Sequence, residues 1–272
     1  MNRIIKLLEG LNARFSDGAP VFTLRNHSVE AQVGNIRLQS AFQPIVRANN
    51  QQEQGWEGLV RPFLPDGTAM PPPVFFDDFS VGQEMARIDR ICRCLHLANF
   101  VLANGNGYLF LNLHPRHLLS VEGTFGAAFS EVAALAGIPT DRIVLEVLEH
   151  CTDDEKRLAR AVLEFKSHGF LVALDDFGQN SDTHTVDRLF QLKPHIVKFD
   201  RSLLHISNPI VLPRLIRAVR ELGALSVMEG IETADEASRA YLAGANLLQG
   251  FHLGRPQSKP KYKIAANAKE AA

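Results

Sequence analysis

The chain has 272 residues, 46% of them hydrophobic and 22% charged, a composition that fits a globular protein and excludes collagen, coiled coil and disorder. Lys and Arg total 29 against 30 Asp and Glu, a formal net charge of -1, so no strong basic field exists for gripping a nucleic-acid polymer or an anionic membrane. Cys92, Cys94 and Cys151 are odd in number and lack CxxC spacing, which fits buried free thiols in a reducing compartment rather than a disulfide framework or a zinc knuckle.

Residues 1–40 are expected to form an N-terminal extension that opens on an amphipathic helix carrying Ile4, Ile5, Leu8 and Leu11. It reads as a cap on the next domain or as a partner-binding stub. Ile88, Ile91, Leu95 and Leu102 mark a longer helix, followed by a strand over Tyr108–Leu113. Phe129, Val132, Ala133 and Ala136 form a second stripe that stops at Gly137, before a strand over Ile143–Val147. Thr152 and Glu155 make a capping box for a helix with Leu158, Ala161, Val162 and Phe165 on one face, ended by Gly169. Strands are then expected at Phe170–Leu174 and His195–Phe199. Asn208 and Pro209 predict the start of a helix carrying Leu212, Leu215, Ile216 and Val219, with Gly223 after it. A strand over Leu225–Met228, a helix opened by Thr233 and Glu236, and a strand over Ala245–Leu248 complete the series, and residues 257–272 read as a flexible tail. No apolar run approaches the roughly 20 residues of a membrane helix and no leader pattern opens the chain, so a cytoplasmic protein without a membrane span is expected.

Strand and helix alternating in this way give a parallel α/β fold, either an open sheet or a closed barrel. No GxGxxG or GxxxxGK[ST] follows the first strand, and polar residues end many different strands, as they do at the mouth of a barrel. Those strand-end groups are Glu57, Asn112, Glu146 with Glu149, Asp175 with Asp176, Lys198 with Asp200, Glu229 with Glu232, and Gln249. A carboxylate inside Ile-Val-Leu-Glu-Val is costly to bury unless it is paired or bound to a cation. One Lys198 is not enough for so many acids, and an all-oxygen set fits Mg2+ or Mn2+ better than zinc. Adjacent Asp175 and Asp176 suit two neighbouring cations and phosphoryl transfer to water. Taken singly, each residue has a plain structural role open to it: a helix cap for an Asp, a loop amide for Asn112, one neutralised acid for Lys198.

In order along the chain stand Gln43-Pro44-Ile45, Glu57-Gly58-Leu59-Val60-Arg61, Leu111-Asn112-Leu113, Glu146-Val147-Leu148-Glu149, Asp175-Asp176-Phe177-Gly178, Lys198-Phe199-Asp200-Arg201-Ser202, Glu229-Gly230-Ile231-Glu232-Thr233 and Gln249-Gly250-Phe251. The series resembles the EAL-domain family, the cyclic di-GMP phosphodiesterases, over residues 41–256. The resemblance implies a modified (β/α)8 TIM-like barrel with one antiparallel strand that hydrolyses cyclic di-GMP to linear pGpG with two Mg2+ or Mn2+. By position it implies Glu57, Asn112, Glu146, Asp175, Asp176 and Glu229 as metal ligands, with Asp175 as the bridge. Lys198 matches the lysine that holds or deprotonates the attacking water, and Gln43, Arg61 and Gln249 match substrate contacts. Glu149 and Glu232 match supporting acids that steady the loop after Asp176. Family members often form homodimers through barrel helices. Ca2+, with its looser coordination, is expected to permit binding and inhibit turnover.

Three departures from the family pattern stand out. Gly58 replaces the usual alanine of the signature, for which a modest effect through backbone freedom is expected. The segment Gln179–Val186 differs from the family's Thr-Gly-Tyr-Ser-Ser-Leu and is two residues longer. His195 stands where an aspartate usually precedes the lysine strand, and reads first as a loop-packing residue, with catalysis the alternative. The altered loop keeps a second reading open, a cyclic di-GMP receptor or interaction module with little turnover. A phosphohydrolase acting on another nucleotide is the third.

Overall fold

The computed structural model describes residues 2–79, 82–113, 125–148, 155–178 and 184–260. A hairpin of β1 (Phe22–Arg25) and β2 (Ser28–Val33) leads into β3 (Ile36–Arg47), which runs unbroken across residue 40. Seven more strands follow: β4 (Glu53–Phe63), β5 (Tyr108–Leu113), β6 (Ile143–Leu148), β7 (Leu171–Phe177), β8 (Ile196–Phe199), β9 (Leu225–Met228) and β10 (Leu247–Gln249). Strands β4 to β10 pair in parallel, each with the next. Strand β3 closes the ring by pairing antiparallel with both β4 and β10. The α/β barrel with one antiparallel strand expected from the sequence is therefore the one that forms.

The apolar strand runs are explained by this closure, because each strand is covered inside and out. Ile45, Phe110, Val144, Ala173, Ile196, Val227 and Leu247 fill the interior as one cluster. Their neighbours Leu109, Leu111, Ile143, Leu145, Val172 and Val197 face outward into the larger core under the helices. Gly55 belongs at the same interior level; a Cβ there would stand 2.9 Å from the Phe110 ring, which takes its place.

The helices are α1 (Asn2–Phe15), α2 (Pro72–Asp77), α3 (Gln83–Leu102), α4 (Phe125–Ala136), α5 (Glu155–Ser167), α6 (His184–Leu192), α7 (Val211–Glu221) and α8 (Ala234–Leu242). In α1 the buried face is Ile4, Leu7, Leu8 and Leu11, while Ile5 is 45% exposed, so the stripe is turned from the expected one toward Leu7. The stripes of α4 and α5 are buried as expected, Phe129, Val132, Ala133 and Ala136 in one and Leu158, Ala161, Val162 and Phe165 in the other. Thr152 and the Glu155 side chain, with the proposed capping box, lie outside the described residues. Helix α7 starts at Val211 rather than Pro209, because the Asn208 side chain accepts the Ile210 N–H at 3.1 Å and forms a turn before it. The capping box on α8 forms as read: Thr233 accepts from the Glu236 N–H, and Glu236 reaches back to the Thr233 N–H. Among the described residues no helix is long and apolar enough to cross a membrane.

Candidate active site at the barrel mouth

Side chains alternate along a strand, so the residue two steps beyond each interior position again points inward. Two steps beyond Phe110, Val144, Ala173, Ile196, Val227 and Leu247 stand Asn112, Glu146, Asp175, Lys198, Glu229 and Gln249. Glu57 follows Gly55 by the same interval, and Gln43 precedes Ile45 because β3 runs the other way. The site is thus the topmost layer of the barrel interior, polar where the layer below is apolar.

Lys198 stands at its centre, with only 1% of its side chain exposed. Its Nζ lies 2.6 Å from Glu146 Oε1, 2.8 Å from Glu229 Oε1, 3.0 Å from Asp175 Oδ1 and 3.9 Å from Glu57 Oε2. Burial works to lower the pKa of this ammonium, but the surrounding acids hold it well above its ordinary value. The carboxyls of Glu146 and Glu229 are pushed up, first by burial and then by the neighbouring acids, with Lys198 opposing. One lysine meets four acids geometrically yet balances only one of their charges. Glu146 Oε2 is buried with no hydrogen-bond partner among the described residues.

The amides fix Glu57. Asn112 Nδ2 donates to Glu57 Oε1 at 3.0 Å, and Gln249 Nε2 donates to Glu57 Oε2 at 2.6 Å. Gln43 lies beside Gln249, with its Nε2 donating to the Gly254 carbonyl at 3.2 Å. Asp175 and Asp176 both serve the mouth because the pairing of β7 with β8 slips between Leu174 and Phe177, and Asp176 adopts a left-handed φ of 57°. Oxygens of Asp175, Asp176 and Glu229 lie within 4.8 Å of one another. Burial, followed by the charge of Asp175, raises the Asp176 pKa.

Arg61 lines a neighbouring cavity of about 230 Å3 with Asn112, Gly58 and His96. Its Nη1 donates to the Val60 carbonyl at 2.9 Å. A second cavity of about 170 Å3 opens over Gln43, Glu57, Glu229, Gln249 and Phe251. Glu232 lines it as well, but is ion-paired to Arg201 at 2.8 Å rather than joined to the acid cluster. Glu149 and residues 179–183 lie outside the described residues. His195 sits at the far end of the barrel, just before β8, where its Nδ1 accepts the Val172 N–H of β7 at 3.0 Å.

Two groups at the mouth escaped the sequence reading. Arg201 bridges Glu232 and Glu236, tying the turn after β8 to the turn after β9. The Glu236 signal was visible as a capping box, which gave no hint of the Arg201 contact. His96 supplies a wall of the Arg61 cavity from α3, and nothing in the helical pattern marks it.

The model of the EAL domain family matches residues 26–256. YkuI, an EAL-domain protein of Bacillus subtilis, is 27% identical over 222 residues, 79% of this chain and 54% of its own length. PdeN of Escherichia coli, named a probable cyclic di-GMP phosphodiesterase, is 28% identical over 230 residues, 79% of this chain and 43% of its own length. The chain therefore spans about half the length of these relatives. Among solved structures, YkuI in complex with substrate c-di-GMP and calcium superposes with a TM-score of 0.72 at 26% identity, over 84% of this chain and 58% of that one. Klebsiella pneumoniae BlrP1 in its manganese and c-di-GMP complex gives 0.71 at 25% identity, over 81% of this chain and 56% of that one.

Proposed function

The chain belongs to the EAL-domain family, and we propose that it binds cyclic di-GMP and hydrolyses it to linear pGpG with two divalent cations, Mg2+ or Mn2+. The observation that carries this reading is the convergence of Glu57, Asn112, Glu146, Asp175, Asp176, Lys198 and Glu229 on one barrel mouth. The donor set fits hard cations: carboxylate and amide oxygens, an excess of negative charge over Lys198, and the Oε2 of Glu146, which has no hydrogen-bond partner among the described residues. Glu57, Asn112, Glu146, Asp175, Asp176 and Glu229 would hold them. When bound, the pair would polarise the phosphodiester, make water nucleophilic near neutral pH and stabilise the departing oxygen.

The chain's own groups do the positioning. Lys198, kept as an ammonium by the acids, would donate to the attacking water through Nζ once the cations take over part of its carboxylate partners. Asn112 and Gln249 hold both oxygens of Glu57 in fixed directions. Arg61 would clamp a phosphate, a task suited to the planar guanidinium fork. Gln43 and Gln249 would contact the dinucleotide from the smaller cavity, which they line. Arg201 fixes Glu232 over the smaller cavity, which would steady the loops that frame the substrate. Ca2+ would support binding while suppressing turnover.

The segment Gln179–Val186, unlike the family pattern, favours one second reading, a receptor that binds without hydrolysis. Incubation with cyclic di-GMP and Mg2+ or Mn2+, followed by chromatography for pGpG and paired with calorimetric binding in Ca2+, tests both. Product supports the phosphodiesterase; binding without product establishes the receptor; neither overturns the reading altogether.

A further inference from the structure

Gly58 and His96 occupy one space. A Cβ on residue 58 would stand 2.8 Å from both Cβ and Cγ of His96, atoms too near the helix backbone to swing aside. The imidazole is 4% exposed and stands edge-on to Phe42, the cross-strand partner of Gly58, with centroids 6.4 Å apart. Its Nδ1 is 2.9 Å from Ser40 Oγ, which accepts from Asn99 Nδ2 at 3.1 Å. Asn99 is in turn pinned to β2, accepting the Val29 N–H and donating to the Val29 carbonyl, both at 2.8 Å. Three elements, β2, β3 and α3, therefore hold the ring against β4. Burial, aided by the Arg61 charge, keeps the imidazole pKa down at about 3, so the group beside Arg61 is neutral.

A glycine inside a strand leaves its backbone slack unless another group closes on it. This one lies between Glu57, held in the acid cluster, and Arg61, which faces the larger cavity. We infer that His96 is a positioning residue: its ring stands in for the missing side chain of Gly58 and clamps β4 so that Glu57 and Arg61 keep their separate aims. The inference rests on the roles proposed above for those two residues.

The test is a cycle of Gly58→Ala, His96→Ala and the double variant, read by calorimetric binding of cyclic di-GMP in Ca2+ and by thermal unfolding. Each single variant is expected to weaken binding about tenfold, the first by displacing the ring and the second by freeing the strand. The double variant is expected to bind no more weakly than either single variant, because the ring that the methyl would displace is already gone, while the Cβ retained at residue 96 holds it short of the parent. In an Arg61→Ala background, His96→Ala should weaken binding clearly less than in the parent, leaving only the share that acts through Glu57; a role in packing alone would not produce that dependence. Parent-like binding by Gly58→Ala, additive losses in the double variant, or an undiminished effect without Arg61 would each overturn the inference. Should the parent bind no cyclic di-GMP, the functional reading and the positioning role fall together, while non-additive unfolding midpoints would still show that the two residues share one space.

Discussion

Four carboxylates around one ammonium make Lys198 the residue on which the mouth depends without its cations. Breaking such a buried cluster by Lys198→Met is expected to lower the unfolding free energy by about 3–5 kcal/mol, because charges at Glu146, Asp175 and Glu229 lose their partner. Added Mn2+ should recover more stability in the variant than in the parent, since a bound cation then supplies the only positive charge. Urea titrations with and without Mn2+ check this, and an unchanged midpoint would contradict the counter-charge role. Glu57→Ala should act differently. It removes one acid from a repulsive set beside the open smaller cavity, so the fold should persist while pGpG formation falls roughly a hundredfold or more. Product chromatography on a variant with a parent-like unfolding midpoint is the measurement; parent-rate turnover would remove Glu57 from the ligand set.

At the scale of elements, the turn after β9 is held by Glu236 more than by the strand it follows. The Glu232 N–H, with Arg201 and the Thr233 N–H, pulls the Glu236 carboxyl from its ordinary 4.5 to about 2, against the opposing effect of burial. A depressed carboxyl stabilises the fold in its ionised form. Its contribution is therefore complete above about pH 4.5 and is lost as pH falls through about 2. Glu236→Gln is expected to cost about 1–2 kcal/mol at pH 6, with the gap to the parent closing toward pH 2. Chemical denaturation across that range checks it; a gap constant with pH would exclude the charged role. The α8 cap was legible because Thr233 and Glu236 are three residues apart and act locally. The strand-end acids were legible for another reason, since a carboxylate in an apolar run demands a partner wherever the strand goes. The clamp of His96 on Gly58 was not, because it joins a helix to a strand through a shape that no local pattern encodes. The rotation of α1 toward Leu7 is similar: Ile5 and Leu7 flank the same stripe, and only packing against α3 and α4 decides between them.

The barrel is closed by its one antiparallel strand. Because β3 pairs with both β4 and β10, it brings Gln43 to the mouth from the opposite direction and completes the ring of inward groups. The same strand extends past the mouth layer to pair with β2, and Ile4, Leu7, Leu8 and Leu11 of α1 belong to the apolar core that also holds Trp56. We therefore propose that the N-terminal segment unfolds with the barrel and not as a separate unit. Trp56 is the single tryptophan and is fully buried in β4, so its fluorescence reports the barrel. Leu11→Ala, in a segment distant from β4 in sequence, should lower the Trp56 unfolding midpoint by the equivalent of about 2–5 kcal/mol, the usual cost of a cavity at a fully buried leucine. A single transition, coincident by fluorescence and circular dichroism, is expected in parent and variant alike. If the variant instead shows an early dichroism change with the Trp56 midpoint unmoved, α1 is an independent appendage and the core it shares with the barrel carries no cooperativity.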